Sequence, residues 1–232
     1  MELLITKILD YIDNNYHQKN IEKELKKINL KIVIDVGAHK GEFLNSILRL
    51  NKKIKIFSFE PQKKIFFYLR SKFKKKKNVF TFNNAMSDKP GTKLLKINIK
   101  SSTSTFSDYN QDSYWKKFKD LVLTGFNSSS ILGTEKVKVS TLDKFCNKKK
   151  LHKIDLLKID TEGHELDVLK GAEKILKNKV QYILIEFHFS RIYKKYNKDK
   201  IEKILKKNNF YLLKKFKFPF LTFEDRLYKK LV

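Results

Sequence analysis

Lys31-Ile32-Val33-Ile34-Asp35-Val36-Gly37-Ala38-His39-Lys40-Gly41 is the stretch that decides the fold. A short apolar run ends on an acid and turns through two glycines. It then enters residues 41–50, where Phe43, Leu44, Ile47 and Leu48 recur at helical spacing. Outward from it, 54–59 reads as a second strand. Pro61 suits a first helical position, and Ile65, Phe66 and Leu69 continue that helix. Lys74 to Lys77 form a solvated loop, and 79–82 is a third strand. Strands alternating with helices predict a parallel α/β sheet with right-handed crossovers.

The middle of the chain breaks the alternation. Asp88-Lys89-Pro90-Gly91 is a turn, and 93–99 and 135–139 alternate like exposed strands that pair as an antiparallel annex. Between them, Ser101-Ser102-Thr103-Ser104-Thr105 opens a polar and aromatic segment. Residues 100–133 are expected to be a substrate or lid insertion. The alternation resumes with a strand over 154–159, one helix over 164–176 weakened at Gly171, and a strand over 180–189. A helix over 199–207 and a closing strand pair at 210–216 and 226–231 end the chain. Leu4, Ile5, Ile8, Leu9 and Ile12, then Ile21, Leu25 and Ile28, predict a helical cap over 1–30 on a main domain of 31–232.

Net charge is +27, yet 48 of the 52 basic residues are lysine and alanine occurs three times. Residues with AT-rich codons are abundant and those with GC-rich codons scarce, so codon bias explains most of the charge. Arginine, which leads in phosphate recognition, is nearly absent. A nucleic-acid partner is therefore disfavoured, although the charge favours anionic surfaces at low salt. One cysteine, Cys146, excludes an internal disulfide. No apolar run is long enough for a transmembrane segment, and the N-terminus lacks a signal-peptide pattern, so the expected location is cytoplasmic.

Four clusters carry chemistry. Asp35-x-Gly37-x-x-x-Gly41 sits between strand and helix, where glycines let a ligand approach the backbone. Glu60 closes the second strand 25 residues later, placed to accept the ribose hydroxyls of an adenosine cofactor. His39 occupies the second-glycine position of a dinucleotide fingerprint, and no phosphate-binding G-x-x-x-x-G-K-[ST] is present. An acid in the first turn suits the cationic end of S-adenosylmethionine better than a diphosphate. Lys158-Ile159-Asp160-Thr161-Glu162-Gly163-His164-Glu165 and the strand end Glu186-Phe187-His188 complete the set. Lys158 and Asp160 share one strand face, as do Glu186 and His188. If the two strands are neighbours, these four side chains converge as a catalytic group, with Asp160 or His188 as base and Lys158 and Glu186 tuning it. Glu162 and Glu165 equally suit the positive end of the following helix. Asp160, Glu162, Glu186 and His188 are also a possible divalent-metal set, but the leading reading assigns no metal.

These blocks resemble the FkbM-type methyltransferases. The resemblance runs through 33–41, Phe57-Ser58-Phe59-Glu60-Pro61, Asn84-Ala85-Met86-Ser87-Asp88 with Gly91, Ser140-Thr141-Leu142-Asp143, 157–165 with 168–172, and 183–188. It implies a Rossmann-like class I methyltransferase, with helices on both faces of a mostly parallel seven-stranded sheet that has one antiparallel strand. It further implies S-adenosylmethionine as donor and methyl transfer to a hydroxyl of a sugar or small molecule. By the same resemblance, Asp35, Gly37, Ala38 and Gly41 cradle the methionine end, Glu60 holds the ribose, and Ser87 and Asp88 flank the adenine. His39 and His164 depart from the residues the family usually shows there. A basic nucleic-acid methyltransferase and a non-catalytic cofactor-binding protein are the alternatives, and the oligomeric state stays open.

Overall fold

The computed structural model describes residues 11–12, 16–124, 129–189, 191–218 and 223–231. Helix α1 (Gln18–Leu25) precedes β1 (Ile32–Val36), α2 (Glu42–Leu50), β2 (Lys55–Phe59), α3 (Lys63–Phe73) and β3 (Val79–Phe82). Strands β4 (Ala85–Met86), β5 (Gly91–Asn98) and β6 (Ile131–Ser140) follow, with a 3-10 turn (Ser101–Thr103) and helix α4 (Tyr114–Thr124) between β5 and β6. The chain continues through α5 (Leu142–Lys148), β7 (Ile154–Ile159), α6 (Glu165–Lys170), α7 (Glu173–Asn178) and β8 (Val180–His188). It closes with α8 (Lys198–Lys207), β9 (Phe210–Lys217) and β10 (Phe223–Lys230).

Seven strands form one sheet in the order β3-β2-β1-β7-β8-β10-β9. β10 runs antiparallel to both its neighbours, and the pairs from β3 to β8 are parallel. The central strands β1, β7 and β8 are apolar on both faces because helices cover both. On one face Ile34, Phe57, Leu157 and Ile183 pack against α5 to α8 through Leu142, Val168, Leu176 and Ile201. On the other, Val33, Ile56, Leu156 and Leu184 pack against α1 to α3 through Leu25, Leu44, Ile47 and Leu69. Asp155 fixes the start of β1 by accepting the N–H groups of Lys31 and Ile32, each at 2.8 Å. The antiparallel annex is present: β5 pairs β6, β4 joins on the other side, and Ala85, Leu95, Val137 and Val139 form a small core of their own.

Several element bounds differ from the sequence expectation: β6 begins at Ile131, four residues before the expected start and inside the expected insertion. Pro61 stands ahead of the helix, because Asn83 donates to the carbonyls of Glu60 and Pro61 and holds them extended; α3 starts at Lys63. The last strand begins at Phe223, three residues early. The single helix expected over 164–176 is two. The Gly171 carbonyl turns to accept the Asp143 N–H, and the Asp143 carboxylate caps α7 through Lys174 N and Ile175 N. Residues 1–10 and 13–15, part of the expected helical cap, lie outside the described residues. The described part of that region packs α1 on α2, and His17 meets the buried Asp225 of β10 at 2.7 Å.

Glycine at 171 is forced by packing, since a Cβ there would stand 1.9 Å from the Ser87 carbonyl oxygen. Gly171→Ala is expected to cost about 1–3 kcal/mol by overpacking this junction. Urea denaturation checks it, and an unchanged midpoint would show that Ser87 yields freely.

Candidate active site

The register of the sheet lines up one polar row on the face that carries α1 and α2. Asp35 lies beside Ser58 on one side and Lys158 on the other. Lys158 lies beside Leu184. Two residues further along the strands, the same face carries Glu60, Gly37, Asp160, Glu186 and Asp225; Asp225 pairs directly with Glu186. The parallel strands and the antiparallel β10 therefore bring together at one sheet end acids that are up to 190 residues apart in sequence.

Lys158 anchors this row. It is 6% exposed, and its ammonium lies 2.8 Å from Asp160 and 3.8 Å from Asp35, over the Phe43 ring. This answers the need of a buried lysine for a carboxylate partner. Asp160 and Asp35 hold Lys158 charged against the opposing effect of burial. Asp35 is fully buried, and neither of its oxygens has a hydrogen-bond donor among the described residues. Burial pushes its carboxyl up to about 6 against the pull of Lys158. Asp160 is driven the other way by Lys158, despite burial, and its side chain is 37% exposed.

The 37–41 loop and Glu60 meet. Gly37 and Ala38 donate to the Phe59 carbonyl at 3.0 Å, and His39 N–H donates to Glu60 Oε2 at 2.8 Å. Glu60 Oε1 accepts from Gln62 N at 2.8 Å. Each oxygen keeps acceptor capacity. Burial pushes this carboxyl up to about 7. The loop glycines serve a purpose the sequence reading did not foresee. A Cβ at Gly37 would stand 1.7 Å from the Asp160 carbonyl oxygen, and one at Gly41 would strike Phe73 and Leu69. Both have positive φ, +88° and +80°, so glycine also relieves backbone strain. The close approach observed is of protein to protein.

Glu186 and His188 do join the group. His188 Nε2 lies 3.1 Å from Glu186 Oε2, an ion-pair distance whose alignment falls short of a hydrogen bond. The imidazole lies edge-on to Tyr193 and Tyr196. Despite burial, Glu186 and the neighbouring glutamates lift His188 to about 10, so it holds its proton at neutral pH. Burial raises Glu186 well above the usual carboxylate range, and Asp160 adds to this. Ser87 and Asp88 stand in a different company. Ser87 Oγ contacts Asp88, Lys93 and His164, and Lys93 reaches Asp88 and Asp167.

Sequence reasoning gave Glu165 only a helix-start role. Its Oε1 accepts from Thr161 N, Thr161 Oγ1 and Gly163 N, which ties the 160–165 loop to the head of α6. Its Oε2 is buried and unpaired among the described residues. Tyr193 was missed altogether. It donates to Glu162 Oε2 at 2.5 Å and stacks on Tyr109 of the insertion. Thr105 and Ser107 donate to the carbonyls of Glu162 and Gly163, while Ser101 bridges His39 and Gln62. The insertion is thus fastened to both rims of the crevice; the one sequence signal was its polar and aromatic composition.

The Methyltransferase FkbM domain profile matches residues 35–212. The chain belongs to the FkbM methyltransferase family. The 2-O-methyltransferase NoeI of Sinorhizobium fredii is 24% identical over 70% of this chain and 65% of its own length. The hexuronic acid methyltransferase AglP of Haloferax volcanii is 26% identical over 68% of this chain and 56% of its own. The chain therefore spans less than two thirds of either relative. Among solved structures, the methyltransferase FkbM of Methylobacillus flagellatus KT shares the fold with a TM-score of 0.54 at 16% identity. That match covers 86% of this chain and 43% of the other. The FkbM-family chain has the mostly parallel seven-stranded sheet with one antiparallel strand that the sequence resemblance implied. No helix among its described residues is long and apolar enough to cross a membrane.

Lys158→Met would strand two carboxylates in the crevice. It is expected to cost about 3 kcal/mol at pH 8. The loss shrinks below pH 6, where the buried Asp35 takes up a proton in the folded state more readily than in the unfolded chain. Urea denaturation at pH 8 and 5.5 measures both values; equal losses at the two would remove Asp35 from the account.

Proposed function

We propose that this chain is an S-adenosylmethionine-dependent O-methyltransferase that modifies a hydroxyl of a sugar or related small molecule. The observation that carries the reading is the junction of the 37–41 loop with Glu60, secured by the His39 N–H. The residues fit such a donor. The two unsatisfied oxygens of Asp35 call for a cationic or hydrogen-donating group, and Glu60 offers two acceptors side by side for a ribose diol. Gly37, Ala38 and Gly41 form the turn that would carry the amino-acid end, with Ser87 and Asp88 assigned to the adenine side by family resemblance. When bound, the donor supplies a methyl group already activated by its sulfonium.

The work left to the chain is to position and deprotonate the acceptor. Asp160 is suited to that task because its carboxylate is ionised and reaches solvent. Lys158 orients it. His188 already carries its proton, so its part with Glu186 is to set the charge behind Asp160. The insertion over 100–133, pinned at Ser101, Thr105 and Ser107, is placed to exclude water and select the acceptor. NoeI and AglP support a sugar hydroxyl as the class of acceptor. The location we assign is the cytoplasm.

Two expectations follow from this assignment. Calorimetry with S-adenosylhomocysteine should detect binding that Glu60→Ala abolishes. Protonating Glu60, whose carboxyl sits at about 7, removes an acceptor for the ribose. Affinity should therefore fall about tenfold from pH 8 to pH 6. Binding that survives Glu60→Ala would discard the site. Asp160→Ala should lower turnover by about 10²-fold or more with product affinity held within about threefold. Full turnover in that variant, assayed on a panel of glycan acceptors, would remove Asp160 as base.

A further inference from the structure

We propose that Glu165, Glu186 and His188 form a binding site for one divalent transition-metal ion at the inner end of the crevice. The inference stands apart from the methyl-transfer reading, since it concerns cation binding by the protein alone. One ligand atom from each of the three residues lies within 4.8 Å of the others. The closest two, Glu186 Oε2 and His188 Nε2, are 3.1 Å apart. Two ligands at a right angle, each about 2.1 Å from a metal, stand about 3 Å apart.

The second observation is the state of those atoms. Glu165 Oε2 is buried and has no partner among the described residues, while Glu186 Oε2 and His188 Nε2 are buried and meet each other at 3.1 Å without the alignment of a hydrogen bond. Buried polar atoms without partners call for an explanation, and an ion is one. Glu165 is fully buried, and three donors on Oε1 fix its carboxylate and leave Oε2 as the free acceptor. A ligand held in this way loses little entropy on binding. His188 is oriented by the rings of Tyr193 and Tyr196, and the ion displaces the proton from its Nε2 as it binds.

Charge points the same way. Asp35, Asp160, Glu162, Glu165 and Glu186 lie close together, facing Lys158 and His188 as cations. Two carboxylate oxygens and one imidazole suit manganese, iron or zinc better than calcium or magnesium. This triad differs from the metal set weighed from sequence, for it takes Glu165 in place of Asp160 and Glu162. Asp160 is occupied by Lys158, and Glu162 by the Tyr193 hydroxyl.

The test is titration of the chelator-stripped full chain with manganese chloride, followed by the electron paramagnetic resonance signal of free Mn(II). One saturable ion per chain is expected, and the strongly positive protein should take up little cation elsewhere. Glu165→Gln, which keeps the oxygen that holds the loop, should weaken uptake more than about tenfold, and Glu186→Gln likewise. Asp160→Asn, which removes a neighbouring charge but no ligand, should weaken uptake far less than either glutamine variant. Circular dichroism of each variant confirms folding. Absence of saturable uptake would overturn the site and leave a protonated His188 as the counterion. Uptake indifferent to both glutamine variants, or lost in Asp160→Asn, would overturn the assignment of the triad.

Discussion

The ammonium of Lys158 is the fixed charge on which the crevice depends. A parallel sheet of this order places the ends of β1, β7 and β8 side by side, and here each end carries an acid on the same face. Brought together without a cation, Asp35 and Asp160 would repel each other in a medium where charges are weakly screened. Lys158 bridges them at 3.8 and 2.8 Å, with its stem beside Phe43. The pair it makes with Asp160 leaves that carboxylate ionised, whereas burial pushes the Asp35 carboxyl up to about 6 against the pull of the same lysine. One lysine and the unequal burial of its two partners thereby set the carboxyls apart.

A second constraint is steric. Gly37 lets the β1 turn lie against the Asp160 carbonyl, Gly163 lets Tyr193 lie flat on the next turn, and Gly171 admits the Ser87 carbonyl. Each of these glycines joins two elements distant in sequence. The crevice is therefore a set of close backbone approaches, and its acids keep their spacing because the turns between them have no room to drift. The insertion adds to this through Thr105 and Ser107, whose hydroxyls bind the carbonyls of the 162–163 turn.

Much of this was legible in the sequence because it is local. The apolar runs of β1, β2, β7 and β8 and the strand-end acids follow period-two patterning, and neighbouring strands make Lys158, Asp160, Glu186 and His188 converge as the alternation requires. The 93–99 and 135–139 alternation likewise foretold the β5–β6 pair. What escaped depends on long-range contacts. The break at Gly171 comes from Asp143, almost thirty residues upstream. Glu165 looked like a helix-start acid because its three donors arise from a loop that only folding closes. Tyr193 lies in a segment with no periodicity, and its partners Tyr109 and Glu162 are 84 and 31 residues away. The seven-stranded count and the one antiparallel strand came through resemblance to a family, not from periodicity, and the strand order is seen only in the fold.

The sign of the charge in the crevice opposes the sign of the chain. The protein carries +27 overall, yet the sheet end that would meet an acceptor presents Asp160, Glu162 and Glu186 around Lys158. Surface lysines act over a Debye length of about 10 Å at 0.1 M salt and raise the local concentration of anionic molecules. Buried carboxylates act at contact, where screening is weak, and they disfavour a phosphodiester beside Asp160. A polyanion would thus be drawn to the surface and repelled from the chemistry, while a neutral hydroxyl meets no such barrier. An ion held by Glu165, Glu186 and His188 would displace the His188 proton and add one net positive charge near Asp160, easing that repulsion. If the triad binds its ion, occupancy would shift the contact potential that an acceptor must enter.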